Sequence, residues 1–135
     1  MEKTSVMARF LVLGDYFPVS DITSRLQIEP TETYIKGDLS KYGNVKKETC
    51  WTLSTGYEES EDVNEQLSKI LARISGKLEV LKNLQQDYHL EFSFMIVFHV
   101  IGNEKPVISL ERNVIHFASE IDAPIRFDYY IYPDE

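Results

Sequence analysis

A chain of 135 residues, 43% hydrophobic and 27% charged, fits one globular domain with a real core and does not fit a disordered chain. No run approaches the roughly eighteen apolar residues that span a bilayer, and the start Met1-Glu2-Lys3-Thr4-Ser5 lacks the basic-then-apolar pattern of a signal peptide. A formal net charge of -8 opposes general affinity for nucleic acid or anionic membrane, because phosphate binding needs Lys and Arg; it suits simple solubility and is compatible with a basic protein partner.

Residues Val6 to Leu13 are apolar except for Arg9 and predict a strand buried on most of both faces, closed by Gly14-Asp15. Ser20 is placed to cap a short helix with Asp21 in its first turn and Ile22 and Leu26 on one face; Pro30 ends it. From Pro30 to Glu48 the chain is polar, with turn signals at Lys36-Gly37-Asp38 and Tyr42-Gly43-Asn44, and predicts a long mobile loop carrying Lys36, Lys41, Lys46 and Lys47. Thr49 to Thr55 predicts a strand with Trp51 and Leu53 inward.

The acidic run Glu58 to Asp62, with Ser60 as cap, opens a helix predicted from about Glu61 to Gln86. Its apolar stripe (Val63, Leu67, Ile70, Leu71, Ile74, Leu78, Leu81, Leu84) is the strongest helical signal in the chain. Gly76 in its middle implies a close helix–sheet approach or a kink. Leu90 to Val100 then alternates with every even residue large and apolar, which predicts a strand of roughly 36 Å with one fully buried face. Pro106 precedes a short edge strand at Val107-Ile108. Ser109 caps a helix bearing Leu110, Val114, Phe117, Ala118 and Ile121, and Ile125 to Tyr132 alternates again.

The order is β-α-(loop)-β-α-β-β-α-β. It predicts one α+β domain over residues 1–135, a mostly antiparallel sheet with helices packed on one face. Its last six elements would form a ferredoxin-like β-α-β-β-α-β core, preceded by an extra β-α unit.

Catalytic signatures are missing. There is no Walker A, G-x-S-x-G, G-x-G-x-x-G, C-x-x-C or H-x-x-x-H pattern. His89 and His99 fall on one strand about 33 Å apart, too far to share a metal, so no metal and no cofactor is expected. Cys50 is alone, which excludes an internal disulfide and fits a reducing cytoplasm; on a strand without a local base it reads as an ordinary half-buried thiol.

Two clusters remain. Tyr16 and Phe17 in one loop, with Tyr34, Lys36 and Asp38 in the next, suit a recognition surface, since tyrosine supplies rigid amphipathic area and lysine steers. Gly37 and Asp38 are suited first of all to making a turn. The alternative is a pocket beside the sheet formed by Trp51, Arg126, Asp128 and Tyr130, with Asp128 between aromatics or paired with Arg126.

Several stretches together resemble the bacterial domain-of-unknown-function family numbered 4279. They are Gly14-Asp15-x-Phe17 before a capped helix, Leu26-x-Ile28-x-Pro30-Thr31, Lys36-Gly37-Asp38, the Trp51 strand, Ile108-x-Leu110, and the closing Phe127-Asp128-Tyr129-Tyr130. The likeness covers nearly the whole chain, departing at the bulky Tyr129 where that family has a shorter Asp-apolar-Tyr ending. It implies an α+β bacterial domain and brings no catalytic residues. The expected function is a non-catalytic cytoplasmic protein-binding module, with an immunity-type or antagonist protein as one form. The alternatives are a small-ligand-binding protein or enzyme using the pocket near Asp128 or using Asp38, and self-association through the edge near Val107. The oligomeric state stays open.

Overall fold

A computed structural model of the chain describes residues 3–57 and 62–133. The elements are β1 (Ser5–Gly14), α1 (Val19–Leu26), β2 (Glu32–Tyr34), β3 (Thr49–Ser54), α2 (Val63–Ile74), a 3-10 turn (Ser75–Lys77), α3 (Leu78–Tyr88), β4 (Glu91–Ile101), α4 (Arg112–Glu120) and β5 (Ile125–Tyr132). The architecture is α+β with a mixed five-stranded sheet of order β2-β3-β1-β4-β5. β1 is central and antiparallel to both β3 and β4, β2 is antiparallel to β3, and β5 runs parallel to β4. The parallel pair follows from the α4 crossover between its two strands, a connection that antiparallel neighbours do not need.

The period-two reading of Leu90–Val100 locates the core. Phe92, Phe94, Ile96, Phe98 and Val100 join Val6, Ala8, Phe10 and Val12 of β1 and Trp51 and Leu53 of β3. Against them lie Ile22 and Leu26 of α1, Leu67, Ile70, Leu71 and Ile74 of α2, Leu81 and Leu84 of α3, and Val114, Phe117 and Ala118 of α4. All four helices therefore feed one core on one face of the sheet. Alternation turns Met7, Arg9, Leu11 and Leu13, with Met95, Val97 and His99, to the opposite face, which no described helix covers.

Several local expectations change. The long helix breaks at Ser75–Lys77, and nothing lies within 4 Å of the place a Cβ on Gly76 would take, so this glycine marks the kink and not a close approach. Ser60 and Glu61 lie outside the described residues; the observed cap of α2 is Asp62, whose side chain accepts the Asn64 N–H at 2.9 Å. α1 starts two residues early, with Pro18 instead of Ser20 at the capping position and its carbonyl accepting the Asp21 N–H at 3.0 Å. α4 starts at Arg112, so Ser109 does not cap it.

Val107-Ile108 is not a strand of the sheet. Val107 makes only an isolated bridge to Asp62, and β5 takes the position beside β4. The sheet therefore lacks the strand that a ferredoxin-like order requires at that point. The segment expected as a long loop contains β2 and a hydrogen-bonded hairpin.

Candidate functional site

The hairpin occupies residues 35–47 and is fixed at both ends. At its base the Lys36 N–H donates to Thr49 Oγ1 at 3.1 Å, and that hydroxyl donates to the Asp15 carbonyl at 2.8 Å, tying the hairpin to the loop after β1. Asp38 accepts the Ile35 N–H through its carboxylate at 2.8 Å, which closes the first turn. The arms are joined by Gly37 N–H to Lys46 O (2.9 Å) and Lys46 N–H to Asp38 O (2.8 Å), with a bridge between Leu39 and Val45. Ser40 closes the tip, its backbone N–H reaching the Asn44 carbonyl at 2.7 Å while its hydroxyl accepts the Asn44 N–H at 3.1 Å. Gly43 follows at φ 84, a left-handed conformation that any side chain would strain.

The surface of this hairpin is basic and aromatic. Lys36 lies 5.1 Å from the Tyr16 ring centroid, Lys41 5.0 Å from that of Tyr42, and Lys46 4.2 Å from that of Tyr34. These are cation–π distances. Lys36 also pairs with Asp15, and that hydrogen bond raises the lysine pKa. Leu39, Tyr42 and Val45 at the tip are exposed, Tyr42 by 79%. On a chain of net charge -8, the hairpin is a local region of opposite sign, holding four lysines against the one carboxylate of Asp38.

The five residues expected to form a recognition surface divide. Tyr16, 65% exposed, and Lys36 are brought together in one cation–π pair. Phe17 is only 7% exposed and belongs to the core, where its ring lies across Gly14. Asp38 makes the turn. Tyr34 is half-buried and lies opposite Cys50 in the β2–β3 register. Burial first, and then the neighbouring Cys50, push the Tyr34 hydroxyl from its ordinary value near 10 up to about 12. Burial likewise raises the Cys50 thiol, so its nucleophilic thiolate is scarce at neutral pH.

The alternative pocket does not assemble from its four expected residues. Trp51 is fully buried on the helix face, donating its indole N–H to Thr23 Oγ1 at 3.0 Å. Arg126, Asp128 and Tyr130 point to the opposite face, where Asp128 is exposed and accepts the Tyr130 hydroxyl at 3.2 Å. That bond raises the Tyr130 pKa. Arg126 does line a recess of about 600 Å³ on the face opposite the helices. The recess has Leu11, Leu13 and Met95 as an apolar floor and Glu48, Glu91 and Asp122 at its margins.

Sequence reasoning missed an aromatic group around His99. Tyr57 meets it edge-on at 4.3 Å, and Tyr130 and Tyr132 lie at 5.2 and 5.6 Å. The alternation of β5 pointed to the last two; Tyr57, beyond β3, gave no signal. His89 is the left-handed cap of α3 at φ 55 and lies outside β4, not on one strand with His99. Among the described residues no three His, Cys, Asp or Glu side chains are placed to hold a metal ion. No helix among them is long and apolar enough to cross a membrane.

A five-stranded mixed sheet with its helices packed on one face and a tethered basic hairpin defines a small α+β domain. The chain belongs to the family described as "Domain of unknown function (DUF4279)", whose model matches residues 3–132. No curated protein and no solved structure matches it.

Proposed function

We propose that this domain is a non-catalytic protein-binding module that contacts its partner through the 35–47 hairpin and Tyr16. One observation carries the reading: a hairpin held by its own hydrogen bonds sets three lysines over Tyr16, Tyr34 and Tyr42 and ends in an exposed apolar tip. Binding surfaces favour rigid aromatic anchors with steering charge at the rim, and ordering such a hairpin in advance lowers the entropic cost of docking. The lysines match a partner with an acidic patch, as an immunity-type or antagonist protein would meet on its target. A cytoplasmic setting belongs to this reading and is supported by the lone, buried Cys50; a bacterial one belongs to it only through the family resemblance.

The recess at Arg126 favours a second reading, a small ligand of mixed polarity. Affinity capture from the native cell separates the two. Tyr16→Ala and Tyr42→Ala should release a captured protein and leave the melting temperature within about 2 °C, since both rings lie outside the core. Retention of every captured protein by both variants, with loss on Arg126→Ala, would move the site to the recess.

A further inference from the structure

We infer that β5 is a pairing edge for a second copy of the same chain, joining two sheets antiparallel about a two-fold axis at Tyr129. β5 is the outer strand of the sheet and runs for eight residues, Ile125 to Tyr132, without proline, lysine or glycine; its two charged residues, Arg126 and Asp128, stand on the face opposite the helices. Protein edges are ordinarily blunted by such residues, by bulges or by a covering element. Here Phe127, Tyr129, Tyr130, Ile131 and Tyr132 are all exposed, Ile131 by 70%.

The backbone direction is fixed by two hydrogen bonds. The Pro124 and Tyr132 carbonyls accept from Phe94 and Gly102 on the β4 side, at 2.9 and 2.7 Å. Even-numbered residues of β5 therefore direct their backbone groups inward. Ile125, Phe127, Tyr129 and Ile131 direct theirs outward, where among the described residues no backbone group meets them. These are the donors and acceptors that a further strand would take.

Between two copies, charge selects the register. Centring the axis on Asp128 would set the two Asp128 carboxylates opposite each other, which is destabilising. Centring it on Tyr129 opposes no like charges and overlaps most of the strand. Tyr129 then faces its own copy and Phe127 faces the partner's Ile131, each outward pair exchanging both backbone hydrogen bonds. Asp128 falls opposite the partner's Tyr130, whose hydroxyl already donates to a carboxylate of this kind within one chain. On the helix face, a groove of about 290 Å³ lined by Val100, Lys105, Pro106, Ile108, Tyr129 and Ile131 lies beside the position that the partner's Phe127 would take.

The far edge cannot repeat the contact, because β2 spans only Glu32–Tyr34 and the hairpin follows it. One long open edge per chain gives a closed pair and no filament.

The test is sedimentation equilibrium on the full chain. The wild type should show twice the 15.7 kDa of one chain. Ile131→Pro removes an outward N–H that the monomer does not use, and Ile131→Lys places a charge on the edge. Both should sediment as single chains with unchanged far-UV circular dichroism. Under oxidation Tyr129→Cys should form a covalent dimer and Phe127→Cys should not, because only position 129 faces itself. A wild type that is monomeric, including one that takes up an added extended peptide on β5, overturns the inference. So does a dimer that survives both Ile131 variants, or one in which Tyr129→Cys fails to cross-link.

Discussion

Replacing Phe94 by alanine tests the core at its centre. Phe94 is completely buried, and its ring lies 5.2 Å from that of Phe10, which in turn stacks on Phe92 at 5.7 Å. A phenylalanine buries on the order of 150 Å² or more, which at about 25 cal/mol per Å² is nearly 4 kcal/mol of transfer free energy. The cavity adds to this, and the lost ring pair removes roughly 0.5–1.5 kcal/mol more. Some collapse by Phe10 and Ile96 offsets part of the total. The expected loss is about 3–5 kcal/mol, the measured range for such truncations. Against a typical stability of about 5–15 kcal/mol this leaves a folded but marginal domain. Urea unfolding followed by tryptophan fluorescence reads it directly, since Trp51 is buried in the same core. The midpoint should fall with little change in slope. A loss below about 1 kcal/mol would mean that this face does not carry the fold, and the assignment of the core would be wrong.

Gly14→Ala should destabilise by about 1–3 kcal/mol, because the added Cβ would sit 2.9 Å from the Phe17 ring and 3.1 Å from Leu90; calorimetry checks it. Gly76→Ala should do the reverse, raising stability by about 0.4–1 kcal/mol, since the new methyl meets nothing and the unfolded chain loses freedom. Tyr34 supplies the pH dependence. Its folded pKa is raised to about 12, so its contribution is complete below pH 10 and is lost as pH climbs from 10 through 12. Alkaline melts of the wild type should therefore fall more steeply over that window than those of Tyr34→Phe, and equal slopes would refute the shift.

The strongly periodic parts of this protein were legible before any coordinates. The alternation of Leu90–Val100 and the apolar run at Val6–Leu13 each became the strand they predicted, and the stripe from Val63 to Leu84 became helix on both sides of a break at Ser75–Lys77, because burial on one face imposes a period. Elements held by other means were not legible. β2 is three residues long, too short for any period, and the hairpin after it is held by Asp38, Ser40 and backbone bonds instead of apolar packing. Phe17 was expected beside Tyr16 on the surface. Yet consecutive residues point opposite ways, and the missing side chain at Gly14 leaves room for the ring to turn inward. Trp51 was placed with Arg126 although its inward face had already been read correctly. Grouping residues into a site requires knowing which strands are neighbours, and that order is a tertiary fact. Val107-Ile108 has the composition of a strand, but the parallel crossover gives its place to β5.

The strand order has a further consequence during synthesis. β1 is the first strand made and the middle of the finished sheet, with neighbours that begin only at Thr49 and Glu91. Until β4 leaves the ribosome, one side of β1 has nothing to pair with, and until β5 follows, the phenylalanine-rich β4 is itself the rim. Folding from the amino end must therefore wait for distant segments, which slows it and lengthens the exposure of apolar strand edges. The cost falls on the path to the fold and leaves the stability of the finished domain unchanged.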